Sequence, residues 1–182
     1  NLTNKIIVKK KVGKIGDATV AELPPSSLGF GHTRWATHGG ATDDNAHPHL
    51  DCTKTIAVIH NGIFENYLNF KKKLLSDGHR FHSETDTEVI VHLLEEYRRR
   101  LSLAEAVRKV FRQIDGLNAI IAIDRSTREM VAARNGSPLI IGFGKGENFL
   151  ASDPAALLPY TKTVCFLEDD QLAIITDDSV TV

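Results

Sequence analysis

Gly31-His32-Thr33-Arg34-Trp35-Ala36-Thr37-His38-Gly39 sets a guanidinium, an indole, two hydroxyls and two imidazoles between bounding glycines. A planar guanidinium with hydroxyls beside it suits two-point capture of a carboxylate. Further along, His60-Asn61-Gly62 offers an asparagine amide next to a glycine N–H, a donor pair suited to a developing oxyanion. Asn-Gly is also a common turn pair, and on the dipeptide alone the turn reading comes first. Ser83-Glu84-Thr85-Asp86-Thr87-Glu88 holds the residue types a helix N-terminus wants, and Asp86 could hold an ammonium group if that cap faces a pocket.

Two other chemistries are considered and set aside. His32, His38, His47, His49 and His60 invite a metal reading, but no His-Glu-x-x-His motif, cysteine ligand pair or helix-spaced carboxylate accompanies them. No metal and no cofactor are expected. Cys52 lies near His49, so a Cys–His nucleophile is conceivable, but the adjacent Asp51 raises a thiol pKa instead of lowering it. Cys165 falls in an apolar strand and reads as core.

A chain of 182 residues, 42% hydrophobic, is long enough to bury one sizeable core. A formal net charge of −1 and like-charge runs no longer than Lys9–Lys11, Lys71–Lys73 and Arg98–Arg100 argue against an electrostatic nucleic-acid binder. Two distant cysteines make no disulfide framework and suit a reducing compartment. Neither a membrane span nor a signal peptide is evident, so a cytoplasmic protein is expected.

The elements that must carry these residues follow from punctuation and period. Ile6–Val8 and Leu28–His32 read as short strands, and Asp43–Asp51 as a loop holding the His-rich piece. Thr55–His60 reads as a strand buried on both faces that delivers Asn61-Gly62 to its end. A helix over Asn66–Asp77, with Leu68, Leu74 and Leu75 on its spacing, stops at Gly78. Thr85 and Glu88 form a capping-box pair for a helix through Arg99, and Ser102 with Glu105 opens a third that buries Val107, Val110, Phe111 and Ile114. From Asn118 onward, three successive hairpin signals predict antiparallel sheet. The reading is one α+β domain spanning residues 1–182.

Taken in order, G-H-T-R-W-A-T-H-G, N-A-H-P-H, H-N-G-I-F-E-N-Y, S-E-T-D-T-E and the late A-S-D resemble the glutaminase domains of glucosamine-6-phosphate synthases. These belong to the class II, N-terminal-nucleophile glutamine amidotransferases. The resemblance covers nearly the whole chain, and it implies a four-layer αββα sandwich of antiparallel sheets. It implies glutamine as ligand, with Arg34, Thr37 and His38 holding its α-carboxylate and Asp86 its α-amino group. Asn61 and Gly62 are implied as the oxyanion hole, and Trp35 as the residue closing the route by which ammonia leaves. It further implies a sugar-isomerising domain as partner and a homodimeric full enzyme, with neither nucleic acid nor membrane involved.

Family members open on a cysteine whose thiol attacks the amide, whereas this sequence opens on Asn1. The expectation is therefore an N-terminally incomplete domain, inactive as the 182 residues stand. The competing expectation is a module that binds glutamine without hydrolysing it.

Overall fold

The computed structural model describes residues 5–14 and 22–182. Its α+β architecture is built from nine strands and three α-helices among those residues. Strand β1 (His49–Leu50) turns back into β2 (Ile56–Gly62), and helices α1 (Tyr67–Ser76), α2 (Thr87–Arg98) and α3 (Leu103–Phe111) follow. The hairpin strands are β3 (Asn118–Asp124), β4 (Met130–Asn135), β5 (Ile140–Phe143) and β6 (Asn148–Ala151). After a 3-10 turn at Pro154–Ala156 come β7 (Val164–Phe166), β8 (Gln171–Ile175) and β9 (Val180–Thr181).

These make a six-stranded sheet ordered β1-β2-β3-β4-β8-β9 and a three-stranded sheet ordered β6-β5-β7, with every pair antiparallel. Because strand side chains alternate, β2 serves two cores. Ile56 and Val58 join Ile120, Ala122, Val131 and Ala133 under the helices, against Ile90, Leu94, Leu103 and Val107. Ala57 and Ile59 face the other way, joining Ile121, Ala132 and Ile175 against Leu139, Ile141 and Leu167 of the small sheet's side. The described residues thus form three layers: helices, large sheet, small sheet. None of the described helices is long and apolar enough to cross a membrane.

Several expectations need correction. Neither Ile6–Val8 nor Leu28–His32 is a strand: neither has a ladder neighbour among the described residues, although Ile6, Leu28 and Phe30 still pack on the core between the sheets. Helix α1 runs nearly where its punctuation places it, but Leu68 (56% exposed) and Leu75 (52%) face solvent. Its packed face is Leu74 with Tyr67 and Phe70, which join the helical-side core next to α2. The box at α3 forms in full, with Ser102 and Glu105 each bonding the other's backbone N–H. The one at α2 forms by half. Thr85 Oγ1 accepts from Glu88 N at 3.4 Å, while the Glu88 carboxylate turns to Ser83 Oγ (2.6 Å) and to the backbone N–H groups of His82 and Ser83. Cys165 is half-buried, not fully in the core.

Candidate active site

Strand β2 separates its last three residues between compartments. His60 shares the parity of Ile56 and Val58 and points into the helical side, where it is 3% exposed. Its Nδ1 lies 3.0 Å from Thr87 Oγ1 on α2, and its Nε2 lies 2.7 Å from Asn118 Oδ1 on β3. An amide oxygen only accepts, so the Nε2 carries a proton. Burial also lowers its pKa. His60 is thus a strut between sheet and helix.

Asn61 points to the opposite side, into a cavity of about 970 Å³ between the sheets that is also lined by His32, Trp35, Met130, Phe149 and Tyr160. His32 Nε2 stands 2.7 Å from Asn61 Oδ1. With the His32 N–H donating to that oxygen, the Asn61 amide is oriented with its NH2 group available as a donor. Burial lowers the pKa of His32, which keeps the ring neutral. The role of His32 was not anticipated from the motif, and its position 29 residues before Asn61 leaves no local signal for the pairing.

Gly62 closes β2 opposite Asn118 at φ 134°, where a Cβ would come within 2.2 Å of Leu117 O. Only glycine fits, and its conformation turns the chain toward Ile63 and the fully buried Phe64. The Phe64 N–H then donates to Asp86 Oδ2 at 2.8 Å. Asp86 is 4% exposed and caps α2 by accepting from Thr87 N at 3.0 Å. Its Oδ1 lies 3.9 Å from His38 Nδ1, a nitrogen with no hydrogen-bond partner, and the His38 ring packs edge-on to Tyr67 at 5.4 Å. A buried carboxylate facing such a gap is a place where an ammonium group would be welcome.

Arg34 has a different arrangement from a free clamp. Its guanidinium donates to Gly40 O at 3.1 Å and to His38 O, wrapping the 38–40 loop around itself. That loop needs Gly39 at φ 75°, where a Cβ would meet Asn45 Nδ2 at 2.7 Å and Glu84 Cβ at 2.8 Å. Asn45 and Glu84 pin the loop to the segment before α2: Asn45 Nδ2 donates to Glu84 Oε2 at 3.1 Å and Glu84 N to Asn45 Oδ1 at 2.9 Å. Arg34 therefore joins His38, and His38 meets Asp86, which bonds the chain two residues past Gly62. Trp35, 88% exposed, lines the cavity with Asn61, whereas Arg34, Thr37, His38, Gly62 and Asp86 do not line it. Thr37 is exposed on the loop.

Behind this site sit imidazoles that are best neutral. Burial pushes His47 far below the usual imidazole range and His49 down to about 3. An unfolded chain takes up protons on these rings below about pH 6.5, whereas the folded one, with His47, His49 and His60 all lowered, does not. Stability is therefore complete above pH 6.5 and lost as pH falls toward the folded pKa values, by up to about 1.4 kcal/mol per pH unit for each ring. His92 titrates in the opposite sense: burial works against its proton, but Glu88 and Glu95 raise its pKa. With His32 also lowered, four rings outweigh one, so urea midpoints measured between pH 7.5 and 5 should fall with pH. A flat profile would contradict the assignment of these rings as neutral.

With the geometry described, comparison with known proteins is decisive on family. The model of the glutamine amidotransferase domain matches residues 32–159. The chain belongs to the glutamine amidotransferase family. It is 51% identical, over 178 residues, to the glutamine–fructose-6-phosphate aminotransferase (isomerizing) of Thermus thermophilus, covering 96% of this chain and 29% of that protein. The enzyme of the same name from Aquifex aeolicus is 48% identical over 182 residues, covering 98% of this chain and 31% of that protein. The chain thus spans about three-tenths of the length of these curated relatives. Among solved structures, a glutamine phosphoribosylpyrophosphate amidotransferase from B. subtilis superposes with a TM-score of 0.68 at 24% identity, covering 82% of this chain and 33% of that one. An allosteric regulatory enzyme of purine biosynthesis gives a TM-score of 0.69 at 25% identity with the same coverage. The α+β fold of antiparallel sheets is shared with these two solved structures.

Proposed function

We propose that this chain is the glutamine-hydrolysing domain of a glutamine–fructose-6-phosphate aminotransferase. It would supply ammonia to a sugar-isomerising domain that converts fructose 6-phosphate to glucosamine 6-phosphate in a homodimeric, cytoplasmic enzyme. The complete domain would be the four-layer αββα sandwich of which three layers are described above. The observation that carries the reading is the orientation of Asn61: with His32 on its oxygen, its NH2 is the free donor, beside Gly62 at the strand end.

In this reading a cysteine thiol attacks the glutamine carboxamide, its proton passing to a base. The carbonyl oxygen becomes an oxyanion held by the Asn61 amide and the Gly62 N–H. Collapse of that intermediate, with the base returning its proton to the leaving nitrogen, breaks the C–N bond, releases ammonia and leaves a thioester that water hydrolyses to glutamate and the free thiol. Asp86 takes the α-ammonium, and Arg34 with Thr37 and His38 takes the α-carboxylate once the guanidinium edge is shared with substrate. Trp35 stands at the cavity where ammonia would depart. Neither cysteine of these residues suits the attack. Cys52 precedes β2, and Ile56 alone is about 17 Å along the strand from Asn61, five residues at the usual rise. Cys165 lies on β7.

Calorimetry on the 182 residues tests recognition apart from chemistry. L-glutamine should bind, glutaramide, which has neither the α-ammonium nor the α-carboxylate charge, should not, and Arg34→Ala should abolish the heat. Glutamate release by the same 182 residues should be absent. Equal binding of glutamine and glutaramide would refute the proposed clamp.

A further inference from the structure

Away from Asn61, one cluster brings four ligand-type side chains together, and Cys52 N also donates to Glu95 Oε2 at 3.2 Å. Cys52 in the β1–β2 turn, His79 after α1, and His92 and Glu95 on α2 point four ligand-type atoms at one another, all within 4.8 Å. His79 Nδ1 and His92 Nδ1 are 3.3 Å apart. Cys52 Sγ is 3.7 Å from each of them. Glu95 Oε2 is 3.0 Å from His79 Nδ1 and 3.2 Å from His92 Nδ1. Zn–N bonds of about 2.05 Å and a Zn–S bond of about 2.3 Å at tetrahedral angles give edges of about 3.3 Å for N···N and about 3.6 Å for N···S. Five of the six edges, at 3.0–3.7 Å, are close to those of such a tetrahedron, and the sixth, Cys52 Sγ to Glu95, falls within 4.8 Å.

The surroundings match as well. The other nitrogen of His79, Nε2, meets Glu96 Oε1 at 2.8 Å, the carboxylate support that orients a ligating imidazole. The Arg80 N–H donates to Cys52 Sγ at 3.5 Å. His79 and His92 side chains are 3% and 1% exposed and Glu95 12%, while Cys52 is exposed and gives access from solvent. The two ring nitrogens of His79 thus lie against carboxylates, Glu95 on one side and Glu96 on the other.

We infer that Cys52, His79, His92 and Glu95 form a structural zinc site. The donor set of one thiolate, two imidazoles and one carboxylate suits zinc, and its two negative charges balance a divalent ion. Four protein ligands leave no open position, so the ion holds the fold and does no chemistry. It ties the β1–β2 turn and the α1–α2 connection to α2, the helix whose N-terminus carries Asp86. The motif escapes sequence reading because its ligands come from three segments, with only His92 and Glu95 at local spacing.

Elemental analysis of the full chain, purified without a metal-affinity tag, should find one zinc per chain. Chelation should lower the melting temperature and added zinc should restore it. With cobalt in place of zinc, the wild type should show tetrahedral d–d bands and a thiolate-to-cobalt charge-transfer band. Cys52→Ser changes an exposed turn residue, so it should remain folded by circular dichroism yet lose the charge-transfer band. Its zinc affinity should fall about a hundredfold or more, at least as much as losing a supporting residue. His92→Gln should likewise weaken zinc. No saturable zinc uptake by the folded wild type, or uptake undiminished in both variants, overturns the site. The four side chains would then be a hydrogen-bonded cluster and nothing more. Glutamine binding is a separate readout, so failure here leaves the proposed function standing.

Discussion

Replacing Gly62 with alanine should destabilise the domain by about 3 kcal/mol or more and remove what oxyanion stabilisation the site provides. Two effects combine. At φ 134° an L-residue sits in a region that costs about 1–3 kcal/mol. The new Cβ would also lie 2.2 Å from Leu117 O and 3.0 Å from Asn118 Cα, both backbone atoms that cannot swing aside. Relief requires β2 and β3 to part at their last pair, which moves the Gly62 N–H and, through the chain, the Asn61 amide. Loss of one such donor costs about 10²–10³ in kcat. In the complete enzyme, kcat for glutamine hydrolysis should therefore fall by at least that factor even well below the variant's melting temperature. Gly62→Ala with wild-type stability and wild-type kcat would mean that neither the backbone conformation nor the donor position matters.

Asp86→Asn should weaken glutamine binding by about a hundredfold while leaving the domain folded. Asp86 accepts from Thr87 N at Oδ1 and from Phe64 N at Oδ2, so the single oxygen of asparagine keeps the α2 cap and gives up the Phe64 bond, at about 1–3 kcal/mol of stability. What it removes is the charge facing His38, and a charge-assisted hydrogen bond contributes about 1.5–3 kcal/mol, more when desolvated. The loss should appear in KM and in calorimetric affinity, with kcat at saturation much less affected. An analogue lacking the α-amino group should bind wild type and variant equally. If instead the variant lost affinity for that analogue too, Asp86 would be holding the loop and not the ammonium.

Much of this was legible in the sequence, for reasons that differ by residue. The run Thr55–His60 marks a doubly buried strand because its apolar residues are continuous, and β2 is that strand. The Ser102/Glu105 box is read correctly because all its partners lie within four residues. The 85/88 pair has the same spelling, but Ser83 and the His82–Ser83 backbone compete for Glu88, and only the folded chain reveals the winner. Leu28–His32 has strand composition, yet a strand exists only with a neighbour to bond. Arg34 and Asp86 come from motif resemblance. Their link through His38, and the pairing of His32 with Asn61, depend on contacts across tens of residues that no local pattern encodes.

The alternation along β2 has a consequence for how this region tolerates change. His60 and Asn61 are adjacent in the chain yet serve rooms on opposite sides of a wall one peptide thick. Substitutions in the strand can be judged one side at a time. A change of length between Asp51 and His60 cannot, since gaining or losing one residue would turn the strut toward substrate and the amide toward the helices. Sequence drift here should be free in spelling and frozen in count.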